Sequence, residues 1–300
     1  MGSSNKSILK TLLYSDIFDY PLSKEEIWKY LISKKKENYH DFINHLSNKE
    51  TSFGNKNNYF FLNGRDGLVI IRTKKEKESL KKIKFAQKII SSLTIIPTVR
   101  FIGISGALAM KNSDEGDDID LFIISSKNSV WITRLLMVLV LKILGVYRER
   151  NGKNISNKIC LNMLIDEASL LFPKKRRDLY TAHEIAQIMP MFQKDNIYEK
   201  FIYSNNWISK FLPNAFDKKE KFLSANLNIT DKIFNWIFEI FPIEVLLKNI
   251  QIRYMKNHLT KETILDNFIA FHPFDYKTYV LKTYAKKLAK FNIVFNTRGY

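Results

Sequence analysis

Residues 101–125 read FIGISGALAMKNSDEGDDIDLFIIS. The stretch opens on an apolar run and passes through the small residues Gly103-Ile-Ser-Gly106-Ala-Leu-Ala109. After a polar loop it ends in a second apolar run that carries Asp118 and Asp120. Strand residues two apart point to the same side. The reading therefore sets the two carboxylates side by side, with Ile119, Leu121 and Ile123 facing the other way. Two like charges held that close need a counter-ion, and hard oxygen ligands suit Mg²⁺. Small residues between a strand and a short helix let backbone N–H groups approach a phosphate. The spacing is neither that of a dinucleotide-binding glycine motif nor that of a P-loop.

The surroundings of this acidic patch are basic. The 300 residues include 48 Lys or Arg and 30 Asp or Glu, a formal net charge of +18. Such a balance favours contact with polyanions. The apolar share of 45% is enough for real cores. Cys160 is the only cysteine, which excludes a disulfide framework and argues against structural zinc. Within an apolar strand it is expected to be a small core residue. The start, MGSSNKSILK, has no signal-peptide core, and the apolar segment Val130–Leu144 is interrupted by Arg134 and Lys142. A membrane span needs about 20 apolar residues. The expectation is a soluble cytoplasmic protein with no integral membrane segment.

Three regions are expected. In residues 1–75, Ile8, Leu9, Leu12, Leu13 and Ile17 keep helical spacing, and Ser23 with Glu26 forms a capping-box signature. A third helix over Tyr39–Leu46 and a hairpin ending in Tyr59–Leu62 complete a winged-helix-like order. Residues 76–190 alternate strand and helix: strands near Arg100–Ile104, Ile119–Ser125 and Ile159–Ile165, a helix over Ser129–Leu144, and another over Asp178–Met189. The Lys-rich helix Thr73–Ser92 and the run Lys174–Arg177 read as solvated faces. Residues 191–300 read as mostly helical, with Phe234, Trp236, Phe238 and Phe241 forming a bundle core.

The central motif resembles that of the DNA polymerase beta-like nucleotidyltransferase superfamily: Gly, a small residue, and about ten residues later a strand reading apolar-Asp-apolar-Asp-apolar. Here these are Gly106-Ala107 and Asp118-Ile119-Asp120-Leu121. The resemblance implies an α+β fold with a mixed-sheet nucleotidyltransferase core, flanked by the winged-helix-like and helical domains. It implies transfer of a nucleoside monophosphate from an NTP to an acceptor hydroxyl, in nucleic acid, protein or a small molecule. Asp118 and Asp120 would be catalytic and bind Mg²⁺; Ser105, Gly106 and Ala107 would hold the triphosphate. The family's hydroxyl after Gly is absent at Ala107. Its third carboxylate would fall at Asn162, which is not an acid, or at Asp166, on the same face at the strand's end. His183 is read as a structural hydrogen-bonding residue or a substrate contact. The alternative is a nucleotidyltransferase-fold protein that binds nucleotide or nucleic acid without catalysis.

Overall fold

The two apolar runs of residues 101–125 pair with each other at the middle of a seven-stranded sheet. The computed structural model describes residues 3–47, 52–149, 152, 154–217, 221–240, 243–256, 263–265, 268–270 and 274–294. The chain begins with α1 (Ser3–Ser15), β1 (Leu22–Ser23), α2 (Lys24–Lys29), α3 (Tyr39–Ser47), β2 (Phe53–Lys56) and β3 (Tyr59–Leu62). Next come α4 (Leu68–Leu93), β4 (Val99–Ile104), α5 (Gly106–Ala109), β5 (Ile119–Ser125), α6 (Val130–Ile143) and β6 (Ile159–Asp166). Then follow α7 (Leu179–Ala186), β7 (Met189–Lys194), α8 (Ile197–Ser204) and β8 (Leu223–Ala225). The last elements are α9 (Ile229–Ile240), α10 (Ile243–Lys256), β9 (Thr263–Leu265), β10 (Phe268–Ala270) and α11 (Phe274–Ala289).

The large sheet runs β8-β7-β4-β5-β6-β10-β9 and is mixed. Strands β4 and β5 are antiparallel, whereas β5 and β6 are parallel. Parallel neighbours need a crossover, and α6 supplies it. The inner strands are buried on both faces, which is why their text is almost continuously apolar. Phe101, Phe122 and Ile124 enter one core with α7, α8 and α11. Ile102, Ile104, Leu121 and Ile123 enter the other with α4 and α6. The Glu244 carboxylate of α10 accepts the Trp131 and Ile132 amides at 2.6 and 3.0 Å, satisfying donors that the first turn of α6 leaves open.

In the first 62 residues the strands form a separate antiparallel sheet, β1-β3-β2. The Ser23 capping box is present in both directions. Ile8, Leu12, Ile27, Trp28, Phe42 and Phe60 form this unit's own core. The opposite side of α1, Leu9, Leu13 and Tyr14, packs into the core beneath the large sheet.

Several expectations need correction. The helix predicted to continue to Met189 stops at Ala186, and Met189–Lys194 is a strand between β4 and β8. Its antiparallel pairing with β4 and parallel pairing with β8 make it part of the sheet. The last hundred residues also supply β10, which pairs with β6 at Phe268↔Ile165. The boundaries expected at 75/76 and 190/191 fall inside α4 and β7. Phe234 and Trp236 are 43% and 63% exposed rather than core, while Phe241 and the side chain of Phe238 lie outside the described residues. Among the described residues, no helix is long and apolar enough to cross a membrane.

Helix α4 is not only a solvated face. Arg72, Ser79 and Lys82 are buried on it, and with Lys75 they make a stripe at helical spacing. Arg72 Nη1 donates to the Met110 and Lys111 carbonyls at 2.9 and 3.1 Å, and Nη2 to Glu26 Oε1 at 2.9 Å. Lys75 pairs with Asp114 at 3.0 Å. Ser79 Oγ accepts the Ser113 amide, and Lys82 Nζ donates to the Glu115 and Asp117 carbonyls. The acidic loop between α5 and β5 is therefore gripped along its length by this helix, with further bonds to Tyr20, Phe18, Ser156 and Asn157. The run Lys174–Arg177 likewise ends in contacts: Arg176 lies over the Phe268 ring and Arg177 Nε donates to the Phe172 carbonyl.

Candidate functional site

The site is built where β4 gives way to α5 and where β5 begins. Ser105 leaves β4 and bonds back through its amide to the Asp120 carbonyl at 2.9 Å. Gly106 then takes a left-handed backbone, φ +64°, and a Cβ there would sit 2.7 Å from Asp120 Oδ2. Only glycine fits so near a carboxylate in that conformation. Asp118 lies just before β5 and Asp120 is its second residue. Both are half-buried, and the loop that delivers them is the one fixed by α4.

Strand β6 adds a residue that the sequence did not assign to the site. The parallel register sets Cys160 opposite Asp120. Ligand atoms of Asp118, Asp120 and Cys160 all lie within 4.8 Å of one another. Cys160 is half-buried beside the carboxylates rather than a plain core residue. Burial, and then the charges of Asp120 and Asp118, push its thiol well above the usual range. It stays protonated at neutral pH, so it is no thiolate nucleophile. Arg148 arrives from the segment before β6. Its Nε lies 2.9 Å from Asp118 Oδ2, an ion pair without hydrogen-bond alignment, and its Nη1 lies 3.5 Å from Cys160 Sγ. Burial raises the Asp118 carboxyl above its ordinary value, opposed by Arg148.

The other predicted positions separate. Ala107 is exposed beside Gly106. The Ser105 hydroxyl is buried, accepts from Asn162 Nδ2 at 3.3 Å and lies 3.5 Å from the Asp120 carbonyl. Asn162 sits at an irregularity where the register jumps from Leu121↔Leu161 to Phe122↔Met163. There its side chain donates to the buried Ser105 hydroxyl, next to the start of the Asp120 strand. Asp166 is at the far end of the strand pair, opposite Ser125. It is fully buried, and its carboxylate accepts the Asn128 and Ala168 amides at 2.5 and 2.6 Å. His183 is also removed from the site. It is buried on α7 and stacked on Tyr14 of α1, with ring centroids 4.0 Å apart.

Strand alternation puts Cys160 in phase with Asn162, but its place opposite Asp120 comes from the parallel register and had no local signal. Arg148 had none either, since its approach depends on how the segment before β6 folds back.

The role of Asp166 is testable. Asp166→Asn should cost about 2 kcal/mol in urea unfolding, because one of the two N–H donors loses its buried anionic acceptor. Any metal-dependent turnover per folded molecule should stay at the wild-type rate. A large fall in turnover at unchanged stability would return Asp166 to the site.

Compared with known proteins, the chain matches no family model, no curated protein and no solved structure.

Proposed function

We propose that the chain is a nucleotidyltransferase that binds an NTP with one divalent cation and passes its nucleoside monophosphate to an acceptor hydroxyl, releasing pyrophosphate. The observation that carries this reading is the backbone of Gly106 laid against the Asp120 carboxylate, with Asp118 beside it. Such an arrangement keeps side chains out of the space that a triphosphate needs above a carboxylate pair. The donor set fits one cation: two carboxylates with a neutral thiol close by. Mg²⁺ suits the carboxylates and would neutralise charge on the triphosphate.

The chain's own residues do the rest. Exposed Ala107 leaves the first turn of α5 open to phosphate oxygens. Arg148 contributes a fixed positive charge next to Asp118. Its guanidinium is 37% exposed, and a pair of that kind holds only about 1 kcal/mol or less. A divalent cation can therefore compete for Asp118, and Arg148 is free to turn toward the triphosphate. Mutual orientation, more than proton transfer, then supplies the rate.

The order α1-β1-α2-α3-β2-β3 supports a winged-helix reading of the first 62 residues, and the net charge of +18 favours a polyanionic acceptor such as a nucleic-acid end. A second reading, nucleotide binding without transfer, is favoured by Cys160 standing beside Asp120 where a third acid would complete the site.

Pyrophosphate release with each NTP and a mixed acceptor pool separates the two. Asp118→Asn and Asp120→Asn should each lower release by about a hundredfold or more while the fold is kept. Release that is equal in wild type and both variants would sink the catalytic assignment. Nucleotide binding that needs both carboxylates, with no release under any condition, would favour the second reading.

A further inference from the structure

At the end of β5 and β6 opposite the carboxylates lies a cavity of about 220 Å³. Asp120 pairs with Cys160 at one end of these strands and Ser125 with Asp166 at the other. The two places are thus about 17 Å apart along the strands. The cavity is roofed by α9, which is fixed by a buried ion pair: Lys194 Nζ of β7 lies 2.8 Å from Asp231 Oδ1.

Three residues of the wall each hold a buried polar atom with no hydrogen-bond partner in the protein: Arg100 Nη1, Ser126 Oγ and Asn235 Oδ1. The Arg100 side chain is only 7% exposed, and Ser126 is 1% exposed. Leaving such groups unpaired costs about 1–3 kcal/mol each, more where charge is involved. Arg100 is also held rigidly. Its Nε donates to Glu167 Oε2 at 3.1 Å, while Glu167 Oε1 accepts the Lys127 amide at 3.1 Å. The one acid of the wall is thereby used, and Arg100, Lys127 and Lys232 leave the cavity with a positive excess. Trp236, 63% exposed, stands at its edge.

We propose that this cavity is a second ligand site, which takes a small phosphorylated polyol. A tetrahedral anion satisfies the Arg100 and Ser126 donors together and draws on Lys232. The Asn235 oxygen is an acceptor and needs a donor, which a sugar hydroxyl supplies. The indole of Trp236 gives the sugar ring a flat apolar face. The volume suits a phosphorylated monosaccharide and is smaller than the sites that hold larger ligands, at about 300 Å³ and above. The site is therefore not a second seat for an NTP.

The full chain supplies its own probe. Trp28, Trp131 and Trp207 are 9%, 0% and 6% exposed, so acrylamide quenching reports Trp236. In EDTA, ribose 5-phosphate should protect Trp236 and bind more tightly than inorganic phosphate, and ribose alone should do nothing. Arg100→Gln and the surface change Lys232→Glu should each weaken ribose 5-phosphate about tenfold. Asp120→Asn should leave its affinity unchanged, which separates this site from the carboxylate pair. No protection by ribose 5-phosphate, or equal affinity in wild type and Lys232→Glu, overturns the proposal. Equal affinity for inorganic phosphate and ribose 5-phosphate overturns it as a polyol site.

Discussion

Gly106→Ala is expected to reduce metal-dependent pyrophosphate release to the level of Asp120→Asn, with a stability loss of about 1–2 kcal/mol. Two causes act together. A left-handed backbone at φ +64° strains any residue with a Cβ. The added methyl would also sit 2.7 Å from Asp120 Oδ2, well inside contact distance, so the carboxylate must move. A misplacement near an ångström in a reacting assembly costs about a hundredfold in rate. Mn²⁺ titration followed by calorimetry reads the cation directly, and its affinity should fall with turnover. Gly103→Ala is the control. Its Cβ would meet Ile188 Cγ2 at 2.6 Å and the Phe101 ring at 2.9 Å, away from the carboxylates. That variant should lose stability yet keep cation affinity in the folded fraction. Unchanged cation affinity and release in Gly106→Ala would remove the close approach from the mechanism.

The same pair of glycines indicates how far the sequence could be read. Local pattern was enough for β4, β5, β6 and α6, because each is a long apolar run with clear ends. It was enough for the carboxylate pair too, since strand alternation and the spacing to Gly106 are both local. Contacts set by register or by distant helices were not legible. Cys160 reaches Asp120 only through the parallel pairing of β5 and β6. Asn162 falls at a register shift and bonds to Ser105, and Asp166 is drawn into capping the segment after β6. The Lys-rich text of α4 hid Arg72 and Lys82, whose burial follows from carbonyls of the loop they grip. Strands β9 and β10 are three residues each, too short to show a period. The polar atoms of the second cavity come from β4, the end of β5 and α9, which are far apart in sequence.

His183→Phe is expected to flatten the acid side of the stability profile and leave neutral pH nearly untouched. His183 is buried without a partner for Nε2, and Nδ1 has only Gln187 at 3.5 Å. Its ring stacks on Tyr14 at an interplanar angle of 10° and lies 5.8 Å from Tyr30. Burial lowers its pKa from the ordinary 6.5 to about 3. The folded state thus holds a neutral ring where the unfolded chain takes a proton. Stability from this group is complete above about pH 6.5 and is lost as pH falls toward about 3. Near pH 4 the loss amounts to about 3 kcal/mol. Phenylalanine keeps the stack and cannot be protonated, so the gap between variant and wild type should open by that amount between pH 7 and pH 4 in urea unfolding. Other carboxylates titrate in the same range, but their effects cancel in the difference. Parallel profiles for the two proteins would show that His183 is reached by protons while folded. The location gives the result a further meaning. His183 lies between α1 and α7, where the first unit joins the core of the large sheet. Protonation should therefore loosen that junction before it disturbs Asp118 and Asp120, and cation affinity at neutral pH should be equal in the two proteins.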